Sequence, residues 1–208
     1  RFPDKLRPHQ IAATQKYIDF HKTLSEEEYR NQIPPVPANM EPNGAYAEMK
    51  EIGSGSRNWT EEQWDFYRWM YCRLVEDVEK QIGRILTALA DAGLADNTIV
   101  VFTSDHGEMG QSHGLVFKSQ LLEEATRTPL IIAGPGIQKG IVDSKNLTCG
   151  IDLVPTMCDL AGIPIPKGLS GKSLKPILTG QSVKMSRNHI IVESSSGYQI
   201  HDGRYKYT

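Results

Sequence analysis

Long hydrophobic runs are missing from this sequence. The longest purely apolar stretches, such as Ile99 to Phe102 and Leu130 to Ala133, fall far short of the roughly 20 residues that span a bilayer, so no membrane-spanning helix is expected. An excess of one charge is missing too. With 23 Lys and Arg against 25 Asp and Glu the formal charge is -2, which leaves no global cationic field to hold nucleic acid or an anionic membrane. Cysteine is scarce: Cys72, Cys149 and Cys158 lie far apart and form no C-x-x-C pair, which excludes a zinc ribbon and a dithiol redox motif. Buried thiols are expected, with one disulfide as the alternative. The opening Arg1-Phe2-Pro3-Asp4 has no initiator Met, apolar signal region or small-residue cleavage site, so no targeting signal is read and the chain looks as though it begins in mid-protein.

What is present points to a folded globular chain. Its 208 residues are enough for one ordinary domain or for half of a larger enzyme. Hydrophobic residues make up 39% and charged residues 23%, a balance that excludes disorder as a description of the whole. Two Asn-x-Thr sequons, at Asn58 and Asn146, carry little weight because chance matches are common.

The spacing predicts a short helix from Ile11 to Leu24, and Ser25-Glu26-Glu27-Glu28 reads as a capping box opening another turn. Prolines at 34, 35, 37 and 42, followed by Gly53-Ser54-Gly55-Ser56, predict a long surface excursion in which neither helix nor central strand persists. Thr60 then supplies an N-cap with Gln63 as its capping-box partner, and Gly93 a C-terminal stop. Between them Trp64, Tyr67, Tyr71, Leu74, Val78, Ile82, Ile85 and Leu89 recur at three- and four-residue steps, the stripe of a long amphipathic helix. An aromatic cofactor box of Trp64, Tyr67, Trp69 and Tyr71 is the less favoured reading of the same residues. The β-branched run Thr98 to Thr103 predicts a parallel strand covered on both faces, and Pro129 to Ala133 a second one. Helix followed by buried strand is α/β grammar. Asp152 is expected to cap a helix running to Ala161, Ser173 to Leu178 a short turn of helix, and 188–193 and 198–207 strands with a turn at Gly203.

Between the two buried strands lies Ser104-Asp-His-Gly-Glu-Met-Gly-Gln-Ser-His-Gly-Leu-Val-Phe-Lys118. Ligands in open α/β sheets gather beyond the carboxyl ends of the strands, which is where Asp105 and His106 would sit. An Asp-His pair leaving a buried strand offers a carboxylate oxygen and an imidazole nitrogen to one cation, although Asp105 could instead cap a turn. His113 reads equally as a hydrogen-bond donor behind the ligands or as a packed structural histidine. Glu108 is expected to be solvated or ion-paired. Lys118 is a surface ammonium, or it folds back to place a cation on an anionic substrate. Gly107, Gly110 and Gly114 permit close backbone approach and positive φ.

This string resembles the C-terminal half of the sulfatase family of the alkaline-phosphatase superfamily. The elements recur in family order: Gln81-Ile-Gly-Arg-Ile-Leu86, Asp96-Asn-Thr-Ile-Val-Val-Phe-Thr-Ser-Asp-His-Gly107, His113-Gly114, Lys118, Glu123-Glu-Ala-Thr-Arg-Thr-Pro-Leu-Ile-Ile132, Asp152-Leu-Val-Pro-Thr156, Asp159-Leu-Ala-Gly-Ile163 and Gly171-Lys-Ser-Leu174. They cover about Tyr71 to Thr208. The resemblance implies an α/β fold, an alkaline-phosphatase-like αβα sandwich with a mostly parallel central sheet over 1–180. A small antiparallel subdomain would begin within 181–208. It implies Asp105 and His106 as half of a divalent-metal site, most often Ca2+ with Zn2+ or Mn2+ as alternatives, and Lys118 and His113 as the catalytic candidates, Lys118 touching the sulfate oxygens. Substrates would be sulfated small molecules or glycans, the remainder of the same enzyme would be a partner, and a periplasmic, lysosomal or secreted setting is favoured over the cytoplasm. The family's formylglycine arises from a C/S-x-P/A-x-R motif that no Cys or Ser of this sequence begins, so the nucleophile is expected in a missing N-terminal part and these residues alone are expected to be inactive. The rivals are a phosphonate monoester or phosphodiester hydrolase of the same superfamily and a non-catalytic scaffold. A manganese-dependent phosphoglycerate mutase is disfavoured, because its Asp-His-Gly lacks the following Lys and the Arg-Thr-Pro-Leu-Ile-Ile strand.

Overall fold

The structure, a computed structural model, describes residues 8–35, 59–181, 185, 187–195 and 197–208, with side chains from residue 15 onward. The expected surface excursion lies almost wholly outside the described residues. Contacts gather into two units, one of Arg1–Ala88 with Glu108–Phe117 and one of Leu89–Gly107 with Lys118–Thr208.

The first unit is helical. Helix α1 (Pro8–His21) begins and ends about three residues before the predicted span. Helix α2 (Glu26–Arg30) starts at the expected capping box: Ser25 Oγ accepts the Glu28 N–H, and the Glu28 carboxylate accepts the Ser25 N–H at 2.8 Å. Helix α3 (Glu61–Asp91) opens on a second box, in which Thr60 Oγ1 accepts the Gln63 N–H at 3.3 Å and Gln63 Oε1 accepts the Thr60 N–H at 2.8 Å. It closes on Gly93 at φ +67, where the Leu94 N–H reaches the Leu89 carbonyl and the Gly93 N–H reaches that of Ala90. Those two bonds form a Schellman stop, which needs a left-handed residue and so favours glycine.

The α3 stripe is covered only in part by the described residues. Trp64 and Trp69 are buried near its start, whereas Val78 is 56% and Ile85 67% exposed. Trp69 is the centre of this unit's core, stacked on Phe20 at 6.0 Å, tilted against Phe66 and edge-on to Tyr29. Its indole N–H donates to Gln32 Oε1 at 3.2 Å, so the buried ring leaves no orphan donor.

In the second unit, β1 (Val100–Thr103) and β2 (Leu130–Ala133) form a two-stranded ladder running from Val100 opposite Ala133 to Thr103 opposite Leu130. The pair is antiparallel, which corrects the expectation of two parallel strands. The physical reason is the connection: the segment between them holds a 3-10 turn at Ser112–Gly114 and the one-turn helix α4 (Glu123–Thr126), neither long enough to cross over and carry the chain back to the end where β1 began. Nor are both faces covered among the described residues, since Ile131 is 59% exposed.

Helix α5 (Leu153–Leu160) follows a 3-10 turn at Gly150–Asp152. Asp152 does not cap it as expected. Its buried carboxylate instead accepts both Arg187 nitrogens at 2.7 and 2.6 Å, the Lys172 N–H at 2.7 Å and the Cys149 N–H at 3.0 Å. Helix α6 (Lys175–Leu178) then leads to the antiparallel sheet β3 (Ile190–Ser194), β4 (Gly197–His201) and β5 (Lys206–Tyr207). This is the small C-terminal antiparallel sheet that the sequence led us to expect, with the turn at Gly203. All three cysteines are free and only half-buried, so neither full burial nor a disulfide is realised. Among the described residues no helix is long and apolar enough to cross a membrane.

Candidate functional site

Three of the four singled-out residues converge in the second unit. Asp105 and His106 leave the carboxyl end of β1, and Lys118 returns to them. Lys118 Nζ lies 2.6 Å from His106 Nε2, and Asp105 Oδ2 lies 3.2 Å from the same nitrogen. His106 Nδ1 is 2.8 Å from the Gly107 carbonyl oxygen. A carbonyl only accepts, so Nδ1 carries the ring proton and Nε2 presents a lone pair. Two lone-pair atoms, one of them on a carboxylate, therefore face each other across 3.2 Å, an arrangement that calls for a positive charge. The Lys118 ammonium sits beside them and supplies that charge. The donor set fits a divalent cation, and anchoring the far ring nitrogen on a backbone carbonyl is the usual way a metal-binding histidine is oriented. Among the described residues no group of three or more His, Cys, Asp or Glu forms around one point, so this pair is at most part of a coordination set.

Local contacts hold the Asp105 carboxylate in place. It accepts the His106 N–H at 3.0 Å and the Ser104 hydroxyl at 3.3 Å, and Ser104 Oγ also reaches the His106 carbonyl at 2.8 Å. The backbone N–H of His106, with the nearby imidazole and hydroxyl in support, holds the Asp105 carboxyl below the usual carboxylate range, so it stays ionised at neutral pH. Its side chain is 79% exposed, and solvent screens the interaction. Gly107 is a steric requirement. Its N–H donates to the Ala125 carbonyl at 2.8 Å, and a Cβ there would lie 1.9 Å from the Glu124 carbonyl oxygen.

His113 belongs to the first unit, on the loop 108–117. Here Glu108, expected to be solvated or ion-paired, is the organiser. Its Oε1 accepts the Tyr67 hydroxyl at 2.7 Å, the Phe117 N–H at 2.6 Å and the Gly110 N–H at 3.2 Å. The Met109 N–H bonds the Phe117 carbonyl and the Gln111 N–H that of Leu115, closing the loop on itself. Buried Gln111 accepts a hydrogen bond from Arg68 of α3. Burial, followed by the bond to Glu108, pushes the Tyr67 phenol far up, so it remains a donor at any working pH. Within this loop Gln111, His113 and Phe117 all adopt left-handed φ without being glycine. Such conformations persist only where surrounding contacts over-determine them, and they cluster at functional sites. Spacing alone could not reveal Glu108, Tyr67, Arg68 or Gln111. The one sequence signal was an uncommonly polar stretch in a loop that also holds three glycines.

Comparison with known proteins bears on this geometry. The family model described as Sulfatase matches residues 8–163, so the likeness begins well upstream of Tyr71. A Delta 4,5-hexuronate-2-O-sulfatase of Bacteroides thetaiotaomicron is 38% identical over 162 residues, covering 73% of this chain and 34% of its own length. The structure of a 2-O GAG sulfatase superposes with a TM-score of 0.74 at 28% identity, over 87% of this chain and 46% of that one. The phosphonate monoester hydrolase of Silicibacter pomeroyi superposes with a TM-score of 0.72 at 28% identity, over 83% and 41%. The chain thus spans about a third of the length of the curated relative it matches.

Proposed function

The chain belongs to the sulfatase family, and from that premise we propose that the whole enzyme hydrolyses sulfate esters on a hexuronate-containing glycan. The observation that carries the reading is the meeting of Asp105 Oδ2, His106 Nε2 and Lys118 Nζ at the carboxyl end of β1. The family implies a divalent metal. Asp105 and His106 would hold part of it, with Ca2+ the first choice and Zn2+ or Mn2+ admitted by the imidazole donor. When bound, such an ion supplies charge that offsets the negative sulfuryl oxygens and the developing leaving group.

This chain's own residues would do the rest. The Gly107 carbonyl accepts the His106 Nδ1 proton in a hydrogen bond, which orients the ring with Nε2 toward the metal position. The Lys118 ammonium is within a side-chain rotation of any anion bound at this point and would donate to the sulfate oxygens, favouring the transition state as charge accumulates there. His113, on the loop that Glu108 braces, is the second catalytic candidate by family resemblance. The nucleophile, a formylglycine by family resemblance, lies outside these residues. Residues 181–208 would begin the family's C-terminal subdomain, and a periplasmic, lysosomal or secreted setting is favoured on the same resemblance.

The test uses the full-length enzyme on a 2-O-sulfated unsaturated hexuronate disaccharide. Lys118→Ala is expected to lower kcat/KM by roughly 10²-fold or more. Asp105→Asn and His106→Ala should lose bound metal by elemental analysis together with activity. Retention of metal and full rate in all three variants overturns the assignment. Because a phosphonate monoester hydrolase superposes as well as the sulfatases do, a phenylphosphonate monoester belongs in the same assay. Turnover of that ester in place of the sulfate would select the phosphonate reading.

A further inference from the structure

Two groups of aromatic residues lie on and just before α3. Trp64 and Trp69 are 7% and 0% exposed and are core. Trp59, Phe66 and Tyr67 are only half-buried, and with His21 and Tyr29 they surround a cavity of about 210 Å³ in the first unit. Their rings meet mostly at steep angles. His21 is edge-on to Tyr29 at 4.3 Å and to Phe66 at 5.1 Å, and Trp59 is tilted 55° to Tyr67 at 5.6 Å. The cavity lies among these rings. The polar lining is Glu62 and Gln63 on the first turn of α3.

We propose that this pocket binds one uncharged pyranose ring of the glycan whose sulfate ester the enzyme cleaves; the choice of a glycan rests on the function proposed above. Size limits the occupant first. Sites for drug-sized ligands run to about 300–1,000 Å³, so this cavity takes a single ring and not an extended chain. Charge limits it next. Among the described residues no Lys or Arg lines the pocket, Glu62 is a carboxylate, and the faces of aromatic rings are themselves negative, so this lining disfavours a sulfate or carboxylate group. What remains is a ligand with apolar C–H faces for the rings and hydroxyls for a short polar set. Glu62 accepts, His21 does both, and Gln63, whose carbonyl is engaged by the Thr60 N–H, donates from its amide. A sugar ring meets that pattern. A bare ammonium would use the rings and Glu62 but not the amide and imidazole.

The experiment titrates the full-length enzyme with an unsulfated hexuronate-containing tetrasaccharide, prepared by chemical desulfation, following intrinsic tryptophan fluorescence and confirming by calorimetry. Saturable binding is expected. Trp59→Ala should weaken it about tenfold, the upper end of what one aromatic contact contributes, while Trp59→Phe keeps most of the affinity. Glu62→Gln, on the exposed first turn, should also weaken it several-fold without changing the melting temperature. Equal affinity in wild type, Trp59→Ala and Glu62→Gln overturns the proposal, and so does saturation by benzyltrimethylammonium with no response to the tetrasaccharide. Because the titration needs no turnover, a protein that cleaves sulfate esters but ignores this sugar sinks the pocket alone. A protein that binds the sugar at Trp59 yet cleaves no sulfate sinks the function and leaves the pocket standing.

Discussion

At the scale of single residues, the largest consequence belongs to Asp152, which lies outside the candidate site. Burial by itself pushes its carboxyl up, but the bonds from Arg187, Lys172 and Cys149 outweigh burial and hold it below the usual carboxylate range. A carboxyl depressed on folding adds stability at any pH above its unfolded value, near 3.9, and that stability is lost as the pH falls through the folded value. Stability is therefore expected to drop below about pH 4. Asp152→Asn should flatten that acid limb in urea titrations run from pH 3 to 7. At neutral pH it should lose about 3–5 kcal/mol, because Arg187, 11% exposed, is left without its counter-charge. Gly107 gives a second residue-scale expectation. Its substitution by Ala drives a methyl into the Glu124 carbonyl, so Gly107→Ala should cost about 1–3 kcal/mol in denaturant midpoint and displace the His106 carbonyl anchor. Asp105 and His106 stood out in the sequence by type and by their place after a β-branched run, and Lys118 mostly through the family resemblance. Asp152 read only as a helix cap, because a partner 35 residues away leaves no local signature.

At the scale of elements, the loop 108–117 concentrates strain and restraint together. Each non-glycine left-handed residue costs roughly 1–2 kcal/mol, and three occur here. Glu108 balances them by satisfying two backbone donors and the half-buried Tyr67 phenol with one oxygen. Glu108→Ala is expected to orphan those donors, costing about 1–3 kcal/mol locally. The check is hydrogen exchange at Met109 and Gln111, whose amides should lose protection while those of α3 keep theirs. Caps and stops were the most legible features of the fold. Thr60, Gln63 and Gly93 bounded α3 to within a residue or two, because those signals act through neighbouring backbone groups. Strand direction was not legible. A β-branched run looks the same whichever way its partner travels, and only the length and content of the intervening connection decide it.

At the scale of the whole molecule, the apolar surface on display is the feature with consequences. Val75, Val78, Ile85 and Ile131 are each more than half exposed among the described residues. Exposed apolar side chains on α3 of the first unit and, separately, on β2 of the second mark faces that expect a covering partner or promote association. The 208-residue polypeptide is therefore expected to bind a hydrophobic dye several-fold more strongly per mole than the full-length enzyme, and to self-associate in sedimentation. Equal dye binding by both would mean that these faces are exposed in the enzyme as well. The family and its α/β character were readable because motifs survive in order along a chain. The covering of its faces was not, because burial depends on what lies opposite.

The last strands also reach back a long way along the chain. Gln199 of β4 donates to the Leu121 carbonyl at 2.6 Å, and Lys206 of β5 pairs with Glu123, three to five residues after Lys118. During synthesis on the ribosome, then, the stretch just past Lys118 stays unfastened until β4, whose Gln199 lies 78 residues beyond Leu121, has been translated and has cleared the exit tunnel. A chain cut short before β4 would leave the Leu121 carbonyl, 78 residues upstream of Gln199, without that donor.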